Sequence, residues 1–315
     1  VTIINKPFFT VVIPLYNKQN HVKKTIETAL NQIFQDFEIV VVNDGSKDES
    51  PKVVKSINDS RIKIIDQENA GVSVARNRGI KEAKADYIAF LDADDLWLPD
   101  FLQTIYDLIY KCPNAGMYAT AYKISENGKT KSVKITGLPS IPFKGYIPNY
   151  FKCVVLGENL VWTSAVCIPK KVFYAHDISF PEGEKYGEDQ YVWGRVALEK
   201  KIAYDTRECA IYVQDAENNT VNTTRRLSLP QNSIMSLKNY NSRLYDQRNK
   251  KWFDRYIEKY LIGSIIKNKE NRNIKNSLKI LLTNKFSYKN YLNGLLICFM
   301  PYALFDYIKN KKNMK

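Results

Sequence analysis

Two textures alternate along the first hundred residues. Phe8 to Leu15 (FFTVVIPL) and Phe37 to Val42 (FEIVVV) are unbroken β-branched and aromatic runs, the pattern of parallel strands buried on both faces. Between them, from Lys18 to Phe34, apolar residues fall at Val22, Ile26, Ala29, Leu30 and Ile33, which is one face of a helix and completes a βαβ unit. The alternation then repeats. Ser50 and Pro51 with the Val53, Val54, Ile57 stripe predict a second helix, Ile62 to Ile65 a strand, Gly71 to Ala83 a helix and Tyr87 to Leu91 a strand. Open sheets of this kind bind ligands beyond the carboxyl ends of their strands, so the loops to read are those at Tyr16, Asn43, Asn69 and Asp92.

After Pro99 the pattern predicts a helix over Asp100 to Lys111, a strand near Met117 to Tyr122, and a hairpin or loop over Ser125 to Gly137. Asp189 to Glu199 reads as a helix entered by Gly187 and Glu188. Beyond Thr220 the texture becomes helical pieces with Lys on one side and Leu, Ile, Tyr or Phe on the other. The expected organisation is a catalytic body over residues 1–220, with halves at 1–100 and 101–220, followed by a basic, mainly helical region over 221–315.

Composition supports a folded chain: 315 residues, 44% hydrophobic, mean hydropathy -0.37, which excludes disorder and collagen-like repeats. The net charge of +14 changes the picture more. Residues 221–315 hold 20 basic and 5 acidic side chains, whereas residues 1–220 are nearly neutral with 27 and 28. Such a tail seeks an anionic partner, nucleic acid or a membrane surface, or else reflects a Lys- and Asn-rich composition. The clusters Arg248-Asn249-Lys250-Lys251 and Lys309 to Lys315 bracket Trp252, Phe253, Leu295, Leu296, Ile297 and Phe299, as in a helix lying on anionic lipid. A helical appendage packed on the body explains the same pattern. The longest apolar run, Leu295 to Phe305, is too short to span a bilayer. Five cysteines without a C-x-x-C pair, and no signal-like start, lead to the expectation of a reducing cytoplasm and no zinc.

Candidate chemistry sits in the loops. Asp92-Ala93-Asp94-Asp95 places three carboxylates directly after an apolar strand, where they repel one another unless a cation or hydrogen-bond donors compensate them. Oxygen ligands there suit Mg²⁺ or Mn²⁺. A solvated acidic turn whose Asp95 caps the next helix, with Pro99 in that helix's first turn, reads equally well. Asn43-Asp44-Gly45 offers a sharp turn and an acceptor for a base or ribose. Asn69 to Gly79 opens a helix and carries Arg76 and Arg78, suited to phosphate. Neither G-x-G-x-x-G nor a complete G-x-x-x-x-G-K-[ST] is present, since Gly128-Lys129-Thr130 has Lys123 where the first glycine would stand, which removes support for dinucleotide and P-loop readings.

Taken in order, IPLYN (Ile13–Asn17), VVNDGSKD (Val41–Asp48), NAGVSVARNRGI (Asn69–Ile80), FLDADD (Phe90–Asp95) and GEDQYVWGRV (Gly187–Val196) resemble the inverting glycosyltransferases of family 2, over about the first 200 residues. The resemblance implies an α/β GT-A fold, a Rossmann-like nucleotide-binding half with a mixed, mainly parallel sheet. It implies that Pro14 and Tyr16 line the nucleotide pocket, that Asp44 accepts the imino N–H of a uracil or thymine ring, and that Arg76 helps hold the nucleotide. Asp92-Ala93-Asp94 would be the D-x-D motif, with Asp94 on a metal bridging the diphosphate and Asp92 on the ribose or the same ion. Asp189 would be the general base, supported by Glu188. Two departures stand out. Where relatives often carry Y-R-x-H, this chain reads Tyr212-Val213-Gln214-Asp215, so Asp215 is the substitute oxygen ligand if the role persists. The Q-x-x-R-W run of processive synthases is absent.

The expected activity is therefore hexosyl or N-acetylhexosaminyl transfer from a UDP-sugar, with Mn²⁺ or Mg²⁺, to a saccharide or lipid-linked saccharide. The expected place is the cytoplasm, at the inner face of the membrane. Trp162 and Tyr186 are candidates for stacking on acceptor sugars, set against ordinary packing. A non-catalytic nucleotide-sugar binder is the alternative. A nucleic-acid-binding protein is a further one that lacks a recognition motif.

Overall fold

Strands β1 (Phe9–Leu15), β2 (Phe37–Asp44), β3 (Ile62–Gln67) and β4 (Tyr87–Phe90) pair in parallel in the order β3-β2-β1-β4, as a doubly wound half requires. These come from a computed structural model that describes residues 6–184, 187–216, 232–243 and 249–313. Every residue of β1 and β2 is buried, because helices cover both faces of the sheet. Side chains alternate accordingly: Val11 and Ile13 enter the core that holds Val22, Ile26, Leu102 and Ile105, while Val12 enters the core that holds Phe90, Trp193 and Val196. Helix α3 (Val72–Glu82) lies so close to β1 that a Cβ on Gly79 would stand 2.3 Å from Val12 Cγ1.

The predicted first helix is shorter than its periodicity, α1 (Val22–Leu30), and α2 spans Ser50–Lys55. The reason is local. Asn17 Oδ1 accepts from Lys47 N at 2.8 Å and Lys18 N donates to Ser50 Oγ at 2.8 Å, so the start of the predicted helix is used as a loop that pins α2.

Beyond β4 the sheet becomes mixed. A short β5 (Leu96–Trp97) precedes α4 (Phe101–Lys111), and β6 (Met117–Glu126) turns into β7 (Lys129–Ser132), the expected hairpin. Then follow β8 (Lys144–Tyr146), α5 (Tyr150–Leu156), β9 (Val166–Pro169), α6 (Lys170–Ala175), α7 (Glu188–Glu199) and β10 (Ile202–Val213). Antiparallel β9 joins β4 to β6, and β6 pairs in parallel with β10, giving one ten-stranded sheet among the described residues.

The C-terminal region is helical: α8 (Asn232–Ser236), α9 (Lys250–Glu270), α10 (Ile274–Thr283), α11 (Tyr288–Phe299) and α12 (Tyr302–Asn313). Phe253, Tyr256, Ile257, Leu261 and Ile265 of α9 share one core with Phe151, Val192 and Trp193 of the body. Arg248 lies outside the described residues, as do the side chains from Lys309 onward.

Candidate active site

The loops at the carboxyl ends of β1, β2 and β4 converge. Asn17 takes a left-handed φ of 50°, which Asn tolerates, and the loop it shapes leaves Tyr16 42% exposed at the crevice edge. Pro14 is buried within β1 opposite Val42, so it shapes the wall and Tyr16 supplies the exposed ring. Asp44 is nearly buried. Its carboxylate accepts from Gln67 Nε2 at 2.8 Å, Ala70 N at 2.9 Å and Gly71 N at 2.8 Å. It therefore fixes the loop that opens α3, a duty that sequence reading did not foresee. Gly45 turns the chain at φ 69°, with Asn69 N only 2.8 Å from where a Cβ would be.

The acidic turn divides its carboxylates by role. Asp95 is not a helix cap: α4 begins only at Phe101, and Asp95 is 1% exposed. It accepts from Trp162 Nε1 and Ser164 Oγ, each at 2.6 Å, and from Val213 N at 3.0 Å. Burial pushes its carboxyl well up, reinforced by Asp94 and Asp92 and opposed by those donors. Asp95 thus ties the turn to β10 and to the segment before β9. Ala93 is buried, and its carbonyl accepts from Thr25 Oγ1 at 3.0 Å. Asp92 and Asp94 remain at the crevice with side chains 21% and 16% exposed.

Arg76 joins the two halves. Its guanidinium, 4% exposed, donates to Asp92 Oδ1 through Nη2 and to Glu188 Oε1 through Nη1, both at 2.7 Å. The side chain expected to hold the nucleotide is therefore engaged by the protein, because the half-buried Asp92 and the buried Glu188, from opposite sides of the crevice, share its fork. Burial opposes its charge, yet Asp92 and Glu188 outweigh that and raise its pKa. Gly187, left-handed at φ 78°, starts α7 and turns Glu188 inward to meet Arg76.

Asp189, beside Glu188 in the first turn of α7, accepts from Thr163 Oγ1 at 3.3 Å and from Gln190 N at 2.6 Å. Burial first, then the neighbouring Glu188, lift its carboxyl from 3.8 to about 7, with Arg76 opposing. A base poised near neutrality can take a proton from a hydroxyl. Thr163 and Ser164 lie in a segment without periodic pattern, and only the tertiary structure brings them here.

Whether the crevice suits a divalent ion can be judged from Asp94. Lys18 Nζ lies 2.6 Å from Asp94 Oδ2, so a positive charge is already held there. Burial raises the Asp94 carboxyl, Lys18 opposes, and Asp92 adds to the rise. Two hard carboxylates at the crevice, each already paired with a cationic side chain, Asp94 with Lys18 and Asp92 with Arg76, fit Mn²⁺ or Mg²⁺. Asp215 does not join them. β10 follows β6 as far as Ser125, which carries Asp215 out to the β6–β7 turn, where its exposed carboxylate accepts from Asn127 N. Among the described residues no three His, Cys, Asp or Glu side chains form a ligand set, which leaves substrate oxygens and water to complete any shell.

Trp162 is half-buried, 3.9 Å from the ring centre of Tyr212, with its indole N–H given to Asp95; it supports the acidic turn. Tyr186 lies outside the described residues. The C-terminal region reaches α7 directly, since the Tyr256 and Tyr260 hydroxyls donate to Gln190 O at 3.1 Å and Gln190 Oε1 at 3.0 Å.

Known proteins resemble this chain in sequence and in fold. The sequence profile of glycosyl transferase family 2 matches residues 10–160. Glycosyltransferase GlyA of Streptococcus pneumoniae is 31% identical over 215 residues, which are 64% of this chain and 30% of that protein. The uncharacterized glycosyltransferase RP339 of Rickettsia prowazekii is 37% identical over 205 residues, 64% of this chain and 62% of that one. The chain spans less than two thirds of the length of each. The crystal structure of S. aureus TarS 1-349 in complex with UDP-GlcNAc superposes with a TM-score of 0.64 at 20% identity, covering 91% of this chain and 79% of that one. That likeness speaks to the fold, the mainly parallel GT-A sheet with helices following it. The five sequence motifs meet at one crevice of this fold, and residues 10–160 of the chain carry the match to glycosyl transferase family 2.

Proposed function

We propose that the protein transfers a sugar, with inversion, from a UDP-sugar to a hydroxyl of a glycan or lipid-linked saccharide during cell-surface polysaccharide or glycoconjugate synthesis. The observation that carries this reading is the Arg76 bridge, which sets the Asp92 side of a nucleotide-binding crevice against the helix start bearing Asp189. The structure of TarS with UDP-GlcNAc supports a UDP-sugar as donor. On this reading the reaction runs on the cytoplasmic side of the membrane, where nucleotide-sugars are available.

In the proposed reaction Tyr16 packs on the base and the Asp44-anchored loop borders it. Asp189 accepts the proton of the acceptor hydroxyl as that oxygen bonds to the anomeric carbon. The bond from that carbon to the diphosphate oxygen breaks on the opposite face, and the nucleoside diphosphate leaves with the electron pair. One base therefore suffices and no covalent nucleophile is needed. Glu188, neutralised by Arg76, orients the helix start. Asp92 and Asp94 would hold Mn²⁺ or Mg²⁺, which when bound neutralises charge developing on the leaving diphosphate.

A panel of nucleotide-sugars, assayed for nucleotide release with Mn²⁺, with Mg²⁺ and with chelator, tests this reading, and NMR of the product anomer tests inversion. Release from a UDP-sugar that needs the metal and yields the opposite anomer is expected. Nucleotide-sugar binding with no turnover would favour a binding protein instead.

A further inference from the structure

The outer side of the last helices carries a feature that donor and acceptor chemistry does not use. On α11, Tyr288, Leu292, Leu296 and Phe299 are 80%, 40%, 63% and 69% exposed and fall within about 80° of helix arc. The opposite side of α11 is packed: Gly294 and Cys298 are buried, and a Cβ on Gly294 would stand 2.5 Å from Leu281 Cδ2. On α12, Phe305 turns inward while Leu304, Tyr307 and Ile308 are exposed. The result is a stripe of large apolar side chains on helices whose inner faces are firmly held.

Length and composition let Tyr288–Phe299 and Tyr302–Ile308 resemble a membrane span only when joined, and they are bent by 119°. That bend is built in. Lys269, 1% exposed, donates its ammonium to Cys298 O at 3.0 Å and Met300 O at 2.7 Å and sits 4.0 Å from the ring centre of Tyr302, while Pro301 opens the next helix. The buried cation satisfies the last carbonyls of α11 and holds the two helices at this bend.

Charge selects the occupant. From Asn271 to Ile308 the chain has five basic residues, Arg272, Lys275, Lys279, Lys285 and Lys289, and one acidic one, Asp306. The five cations and Asp306 are all exposed, which leaves a net charge of +4. An exposed apolar stripe edged by tyrosines, beside a strong excess of cations, matches an interface of acyl chains under anionic headgroups. We propose that the outer face of α11 and α12 docks the protein on the surface of an anionic phospholipid bilayer, with Leu292, Leu296 and Phe299 inserted below the headgroups. This docking does not depend on which donor or acceptor the crevice takes.

The test is vesicle flotation of the full chain with phosphatidylcholine, with and without phosphatidylglycerol. Flotation only with the anionic lipid, weakened by salt, is expected. Leu296→Glu with Phe299→Glu should weaken partitioning by at least ~100-fold while leaving thermal stability and nucleotide binding at wild-type levels. A Phe299→Trp variant gives a second readout: brominated lipid should quench the new tryptophan beyond the wild-type level. Three results would overturn the proposal: no flotation with anionic vesicles, flotation of the double variant equal to wild type, or a lipid-free wild-type dimer that the double variant converts to monomer.

Discussion

Replacing Arg76 with Met removes the charge that joins the two sides of the crevice while keeping most of the side-chain volume. Asp92 and Glu188 have side chains 21% and 11% exposed and each gives an oxygen to Arg76 at 2.7 Å. Left without it, two largely buried carboxylates face each other, and breaking such a pairing costs about 3–5 kcal/mol. The expected fall in melting temperature is on the order of 10 °C. The same loss acts on Asp189, whose carboxyl Arg76 opposes in its rise to about 7. As the proposed base, Asp189 must be deprotonated to act, so the expected activity is present above its pKa and lost as pH falls through it. In Arg76→Met the acid limb of kcat/KM moves to higher pH. Arg76→Lys keeps the charge but not the fork, so it should fall between the two in stability with a smaller displacement of the limb. Thermal melts and pH profiles of nucleotide release measure both quantities. A variant that melts with the wild type and keeps its limb near 7 would refute the bridge.

Four further outcomes follow from the same geometry. Folded Asp189 keeps its proton up to about 7, whereas unfolded it loses it near 3.8, so its contribution to stability falls as pH rises between those values. Asp189→Asn, neutral throughout, should therefore be more stable than wild type by about 2 kcal/mol at about pH 8, partial exposure having tempered a roughly 4 kcal/mol upper bound, with no advantage near pH 4; denaturant melts at the two pH values check this. Lys18→Met frees Asp94 of its ammonium partner and should tighten Mn²⁺ binding by about tenfold in calorimetry; unchanged affinity would show that Lys18 and the ion do not compete. Gly79→Ala forces a methyl against Val12 and should cost about 1–3 kcal/mol in urea denaturation. Tyr260→Phe removes one hydrogen bond to Gln190 and should cost about 1 kcal/mol in the same assay.

Strands β1, β2 and β4 were legible because burial on both faces writes itself as unbroken apolar runs, and the crevice loops follow from their ends. Strands β5, β8 and β9 are two to four residues long, and partners far along the chain define them, so no local pattern announces them. The acidic turn was legible as a cluster, but its division of labour was not. Asp95 looks like Asp92 and Asp94 in sequence, and only Trp162, Ser164 and Val213 show that it is structural. Arg76 sits near a helix start, the usual place for a phosphate ligand, while the carboxylate that claims it lies 112 residues away. Asp215 was placed by analogy with a motif that this chain lacks, and strand pairing takes it elsewhere. The basic tail was read for its charge, yet it is the uncharged face of α9 that reaches Gln190.

The most direct test of the central claim is the sugar-transfer rate of Asp189→Asn, measured on protein whose UDP affinity has been determined in the same preparation. In the proposed mechanism Asp189 takes a proton only during reaction, and it lies at the start of α7 beside Glu188, which meets Arg76. The account predicts wild-type UDP affinity with transfer slowed by at least ~100-fold. Transfer at the wild-type rate by Asp189→Asn would contradict it.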